Sequence, residues 1–176
     1  LDSGAQSVLG DLLLDIDRYD LYSKVAYPKH HRRDEVPLLY RLAAASGGVF
    51  VNPALTEPFG LTLIEAAASG LPVVATRDGG PPDIIAHCEN GVLVDPLDST
   101  DIARGLLEVM SDIRTWQRYA RRGISGVARH YTWDAHVEKY LKAIDRVIRR
   151  SRKQVRRERA VHRPAARLMP YVRRML

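Results

Sequence analysis

Cysteine is nearly absent from this sequence. Cys88 is the one thiol among 176 residues, so no disulfide can close within the chain, which fits a reducing, cytoplasmic setting. No apolar run approaches the ~18 residues that a membrane span needs. A basic-then-apolar leader is missing, and so is an initiator methionine, so the expectation is an excised or incomplete piece of a longer polypeptide. No His/Cys spacing suggests a metal, and no Ser/His/Asp order suggests a hydrolase. No paired His/Asp constellation near Cys88 in the sequence would make it a nucleophile, and it reads as structural or incidental.

What remains is ordinary for a globular domain: 45% hydrophobic and 27% charged residues in a length that suits one domain with a real core. The net charge of +6 hides an asymmetry. Of the 27 Lys and Arg, 11 fall between Arg149 and Leu176, where Glu158 is the one acid, so residues 1–148 are mildly acidic. Residues 149–176 therefore read as a basic tail or linker, open to three roles: a solvated crossover, a contact to acidic surface elsewhere in the protein, or a nucleic-acid or anionic-lipid site. Tyr171 is the tail's one aromatic, so bases have no stacking series and nucleic acid is not the expected partner.

Helix and strand patterns alternate along the rest. Gln6–Arg18 carries Val8, Leu12, Leu13 and Ile16 at helical spacing. Lys24–Tyr27 reads as a short strand stopped by Pro28. Asp34 is placed to cap a helix to about Ala45, with Pro37 in its first turn, and Gly47-Gly48 ends it. Val49–Val51 is a strand, Gly60–Ala68 a helix closed by Gly70, Leu71–Ala75 a strand of buried type, Asp83–His87 a short helix and Gly91–Val94 a fourth strand. Helices then follow at Asp98–Met110, Asp112–Gly123 and, capped by Thr132, Trp133 to about Arg149. The fold class this predicts is α/β: part of a doubly wound, Rossmann-like parallel sheet followed by helices. Ligands of such sheets bind at the carboxyl ends of the strands, which singles out the loops 28–34, 53–59 and 76–82.

The loop and helix from Asn52 to Glu65 carry the clearest chemistry. The loop follows a strand, and Gly60 opens a helix whose first N–H groups, from Phe59, Gly60, Leu61 and Thr62, lack intrahelical acceptors and suit an anion. A missing Cβ at Gly60 would let a phosphate approach. Glu57 precedes the helix and Glu65 lies one to two turns inside it, so two carboxylates flank the amides as acceptors for vicinal hydroxyls. The bland alternative makes Glu57 a favourable charge at a helix start and Glu65 a solvated residue. Arg77–Asp83 has two readings as well: glycines that admit a ligand, or a plain turn into a helix capped by Asp83.

These residues resemble a known family. Glu57 and Glu65, with PFGL between them, resemble the E-x7-E motif of retaining family 4 glycosyltransferases, enzymes of GT-B fold. The segments VAYPKHH (25–31), DEVPLLYRLAA (34–44), GVFVNPALTEPFGLTLIEAAASGLPVVAT (48–76) and GGPPDI (79–84) resemble the sucrose-phosphate synthases within it, over about Leu13 to Lys142. The resemblance implies a GT-B C-terminal domain and transfer of glucose from UDP-glucose to fructose 6-phosphate with retention, with no cofactor required. It implies that Glu65 accepts the ribose hydroxyls, that Glu57 binds glucose hydroxyls, and that the amides of Phe59, Gly60, Leu61 and Thr62 serve the sugar and diphosphate. It places His30 where related enzymes contact uracil, although His30 reads equally as an exposed loop histidine. The resemblance implies that the Arg and Lys that grip the diphosphate belong to the start of this same domain, before Leu1, and that the acceptor site and its histidine belong to an N-terminal domain, so no residue of this chain is assigned as catalytic and the piece alone is expected to be inactive. Sucrose synthase and other UDP- or GDP-sugar transferases are the nearest alternatives, and a non-catalytic nucleotide-sugar-binding module is the alternative from another class.

Overall fold

The computed structural model describes residues 3–28 and 30–161. The chain divides into two compact units, one ending at Leu39 and the other beginning at Tyr40.

The first unit holds helix α1 (Ser3–Arg18), whose last turn carries Arg18 where the helix dipole favours a cation. The segment expected as a strand, Lys24–Tyr27, is not one: Lys24 closes a turn onto the Leu21 carbonyl, and residues 25–27 are irregular. Three apolar residues before a proline form a strand only against a partner's ladder, and no ladder bond reaches them among the described residues. Asp34 does not cap the next helix either. Its carboxylate takes the Arg32 guanidinium (Nε to Oδ1, 3.0 Å), while Glu35 accepts the Arg32 N–H at 2.7 Å, and helix α2 begins at Val36. α2 (Val36–Ala45) carries Pro37 in its first turn, where a missing N–H costs nothing.

The second unit is built on a parallel three-stranded sheet, β1 (Phe50–Asn52), β2 (Val73–Thr76) and β3 (Gly91–Val94), in the spatial order β1-β2-β3. The sheet is the predicted one less its opening strand. β2 is central and all four of its residues are buried, as its unbroken apolar sequence requires. Helix α3 (Leu61–Ala68) links β1 to β2 and α4 (Pro81–Cys88) links β2 to β3. Successive right-handed crossovers in one direction put both on one face. There Leu63, Ala67, Val73, Ala75, Ile84, Cys88 and Val127 form one core cluster. Helix α5 (Ser99–Met110), after β3, contributes Val109 to a second cluster with Val74 and Val94 on the opposite face. Helices on both faces make the unit doubly wound.

Caps mark most helix ends. Gly70 and Leu71 donate back to Ala67 and Ala66 at 3.0 Å each, a Schellman closure of α3. Asp98 caps α5, accepting from Thr100 and Asp101. Asp112 caps α6 (Ile113–His130), accepting from Arg114 and Thr115. Thr132 Oγ1 accepts the Ala135 N–H at the start of α7 (Trp133–Val161). α4 begins two residues earlier than expected: Pro81 and Pro82 fill its first turn, so Asp83 lies inside the helix rather than at its cap. α6 continues past Gly123 and α7 past Arg149, so α7 runs into the basic stretch. The rest of that stretch, from residue 162 on, lies outside the described residues.

Gly123 and Gly126 explain the first extension. A Cβ at Gly126 would sit 2.6 Å from the Cα of Cys88, and one at Gly123 would sit 3.2 Å from the Ala67 carbonyl oxygen. These glycines let α6 lie directly on α4 and α3 and are not helix breakers. Gly126→Ala should therefore destabilise the protein by about 1–3 kcal/mol through overpacking, although alanine favours an exposed helix by ~1 kcal/mol. Urea unfolding midpoints check the sign.

Candidate functional site

The carboxyl edge of the sheet is held together by its loops. Glu57, in the β1–α3 loop, donates its N–H to the Asp78 carbonyl (3.3 Å) and accepts the Gly80 N–H on its own carbonyl (2.8 Å). This is a parallel bridge between Glu57 and Gly79 beyond the ends of β1 and β2. Thr56 Oγ1 donates to Asp78 Oδ2 at 2.6 Å, and the Asp78 N–H donates to Thr76 Oγ1 at 3.2 Å. The contact is tight enough to dictate sequence. A Cβ at Gly79 would lie 2.0 Å from the Glu57 carbonyl oxygen, at φ +94, and one at Gly80 would lie 2.3 Å from the Phe59 carbonyl oxygen. The Gly79-Gly80 pair thus admits the neighbouring loop's own backbone.

The Glu57 side chain is half-buried and fixed at both oxygens. Asn52 Nδ2 donates to Oε2 at 3.1 Å and the Phe59 N–H donates to Oε1 at 3.3 Å. A carboxylate offers about four lone-pair sites, so two remain for further donors. Because the Phe59 amide serves Glu57, the set of open amides is smaller than the sequence suggested. Gly60, Leu61 and Thr62 are the residues whose N–H groups meet no partner among the described residues.

Gly60 is the N-cap of α3, with φ +95 and no side-chain cap. A Cβ there would meet Ile84 Cδ1 at 2.9 Å, so the backbone conformation and the packing of α4 require glycine whether or not a phosphate approaches. Glu65 is the fifth residue of α3 and exposed, ~6 Å along the axis from the helix start. The Tyr40 hydroxyl is held above its ordinary pKa, first by burial and then by the Glu65 charge, and its ring packs edge-on to Phe50 at 5.7 Å.

Glu57, Phe59, Gly60, Leu61, Thr62 and Glu65 thus share one loop and helix start, while His30 belongs to the first unit, exposed in an irregular segment. Asn52, Thr56, Asp78 and Tyr40 were not read as site residues. An asparagine at a strand end before proline was the available cue for Asn52. Among the described residues no group of three or more His, Cys, Asp or Glu is arranged to hold a metal ion, and no helix is long and apolar enough to cross a membrane.

Phe59, 56% exposed, also borders a cavity of about 230 Å³ with His130, Tyr131, Thr132, Trp133 and His136. Tyr131 Oη lies 2.7 Å from His87 Nδ1, and the His87 and His130 rings stack at 5.0 Å. Burial, followed by the nearby Cys88 and Asp83, pushes the Tyr131 hydroxyl up to about 12 from 10.0. Burial, followed by Lys139, His87 and Arg129, holds His130 below the usual imidazole value.

Two outcomes follow. Gly79→Ala should cost several kcal/mol, about 3 or more, because a backbone clash and an unfavourable φ coincide; amide exchange at Gly80 should rise with it. The raised Tyr131 pKa means that the folded state keeps a proton the unfolded state sheds. Its contribution is intact below pH 10 and is lost as pH rises through about 12. The stability difference between wild type and Tyr131→Phe should therefore shrink from pH 10 to 12, measured by urea unfolding across that range.

Comparison with known proteins agrees with this architecture. The family described as Glycosyl transferases group 1 matches residues 8–125. A probable sucrose-phosphate synthase of Oryza sativa subsp. japonica is 53% identical over 141 residues, 80% of this chain and 14% of that protein. Sucrose-phosphate synthase 1 of Arabidopsis thaliana is 51% identical over 144 residues, 82% of this chain and 14% of that protein. The chain thus spans about one-seventh of the length of these relatives. Among solved structures, a sucrose-phosphate synthase from Thermosynechococcus elongatus superposes with TM-score 0.67 at 25% identity, over 84% of this chain and 35% of that one. Anabaena HepE in complex with UDP gives 0.68 at 23%, over 81% and 38%. The fold is that of GT-B glycosyltransferases, and with its family profile matched over two-thirds of its length the chain belongs to the group 1 glycosyl transferases.

Proposed function

We propose that this chain forms the donor side of a retaining, sucrose-phosphate-synthase-like transferase that moves glucose from UDP-glucose to fructose 6-phosphate. One observation carries the reading: the open amides of Gly60, Leu61 and Thr62 at the start of α3, flanked by Glu57 and Glu65. The diphosphate sits on those amides, with the helix dipole behind them. Glu65 accepts the ribose hydroxyls and Glu57 the glucose hydroxyls. His30 serves the uracil, and Phe59 serves the sugar with its surface while its amide orients Glu57. Residues 1–148 make up this donor side, and the basic stretch after them is a linker or crossover. The setting is cytoplasmic.

The chemistry needs a leaving diphosphate stabilised as charge develops on it, and no step is assigned to a metal. Preorganised amides supply part of that stabilisation without reorganising. The acceptor site and the cationic groups that grip the diphosphate belong to other parts of the protein, consistent with the one-seventh share of the relatives that the chain spans. The incoming hydroxyl attacks on the face the diphosphate leaves, so Glu57 acts as a hydroxyl acceptor and not as a nucleophile.

The full-length protein that carries this chain should release UDP from UDP-glucose when given fructose 6-phosphate. Release with free fructose alone would replace this reading by a sucrose-synthase one, and donor binding without transfer to either would make it a binding module. Glu65→Ala should weaken UDP binding by about 10-fold or more with an unchanged urea midpoint. Equal affinity by calorimetry would remove the ribose role.

A further inference from the structure

We infer that Asn52, the last residue of β1, is a positioning residue that aims the Glu57 carboxylate at the donor hexose while leaving its charge intact. The inference rests on the donor reading above and adds to it a residue, its role and its reason for being asparagine.

The side-chain amide of Asn52 has both ends committed. Its Oδ1 accepts the Ala54 N–H at 3.2 Å, an Asx turn that starts the loop, and its Nδ2 donates to Glu57 Oε2 at 3.1 Å. The two contacts fix the amide orientation, because the flipped amide would put an oxygen against a carboxylate and an NH2 against an N–H. The Phe59 N–H holds the second carboxylate oxygen, and the Glu57 main chain is paired with the β2–α4 loop on both its N–H and its C=O. Glu57 is therefore constrained in backbone, in side-chain rotamer and in the plane of its carboxylate.

Both donors to that carboxylate are neutral. Among the described residues no Lys or Arg forms an ion pair with Glu57. An arginine at residue 52 would orient the carboxylate as well but would compete for its lone pairs and cancel much of its charge. A neutral amide orients it and leaves a full negative charge to accept sugar hydroxyls, bonds that are stronger when the acceptor is ionised. Asparagine also supplies the turn acceptor that serine or aspartate could supply, so the NH2 group is what singles it out.

Asn52→Asp separates the two functions, since it keeps the Ala54 acceptor and nearly the same volume but faces Glu57 with a second carboxylate. The other carboxylates of this edge are Asp78, bonded to Thr56 on the β2–α4 loop, and Glu65 on α3. In the full-length protein, N52D should lower kcat/KM for UDP-glucose about 10- to 100-fold near pH 8 and leave the affinity for UDP, which lacks the hexose, within about 2-fold. As pH falls to about 5.5, the paired carboxylates should come to share a proton that restores the missing donor, and the N52D deficit should shrink relative to wild type. Asn52→Ser, with the turn acceptor and no added charge, should show the same hexose-selective loss without the pH recovery, and it carries the test if N52D does not fold. Unchanged kcat/KM in both variants, equal losses for UDP and UDP-glucose, or an N52D deficit independent of pH would each overturn the positioning role. A wild-type protein that binds neither UDP nor UDP-glucose would instead overturn the donor reading and this inference with it.

Discussion

Two backbone hydrogen bonds and one side-chain bond join the β1–α3 loop to the β2–α4 loop at the carboxyl edge of the sheet, and the candidate site takes its shape from them. The Glu57 N–H and C=O pair with Asp78 and Gly80, and Thr56 reaches Asp78. Each bond is worth only about 1 kcal/mol net, but together they add an isolated step of parallel pairing beyond the ends of β1 and β2. Glu57 is thereby held through its main chain as well as through its carboxylate. The step exists only because residues 79 and 80 are glycines, since any Cβ would overlap the facing carbonyls. Sites mounted on regular elements hold their geometry better than sites on free loops, and here the bridge ties one loop of the sheet edge to the next.

The helix that carries the other half of the site is held as firmly from below. α3 buries Leu63, Ala66 and Ala67, and its N-cap glycine lies against Ile84 of α4. On the far side of the same layer, α6 approaches α3 and α4 through Gly123 and Gly126. Small residues at each of these contacts let the helices approach closely, and close approach sets where the open amides of α3 stand relative to Glu57. Core packing and site geometry are in this sense the same constraint met at two depths.

Much of this was legible in the sequence, for reasons that can be named. The short apolar run 71–75, bounded by turns, suits a buried parallel strand, and β2 (Val73–Thr76) is the central one. Gly70, Asp98, Asp112 and Thr132 announce helix ends through local hydrogen bonds, and each makes them. Glu57 and Glu65 stood out because a strand, a glycine and a helix lay between and around them in order. The failures are those of non-local partners. Asp34 was free to cap until Arg32 took it. Gly123 looked like a stop until Ala67 gave it a packing reason, and Lys24–Tyr27 had strand composition without a strand to pair with. Gly79-Gly80 could be read as admitting a ligand or as a plain turn, and the groups that approach them are the carbonyls of Glu57 and Phe59, more than 20 residues earlier. Asn52 and Tyr40 were missed in the same way, because what they do depends on which carboxylate the fold sets beside them.

The charge balance of the site leads one step further. At its own edge the chain presents acceptors and amides: the Glu57 and Glu65 carboxylates and the first N–H groups of α3. The cation nearest in sequence, Arg77, is bound to Asp101 at 2.8 Å. Asp101 is held below the usual carboxylate range, first by the Asp95 N–H and then by Arg104. A helix terminus offers only about half a positive charge, against roughly two negative charges on a departing nucleoside diphosphate. On the proposed reading the α3 amides can therefore locate the diphosphate but cannot neutralise it. On the same reading the neutral partners of Glu57 fit this arrangement, since a cation beside the carboxylate would compete with α3 for the diphosphate. On that reading hydroxyl recognition belongs to this sheet edge, and charge neutralisation needs cations that the edge does not hold among the described residues.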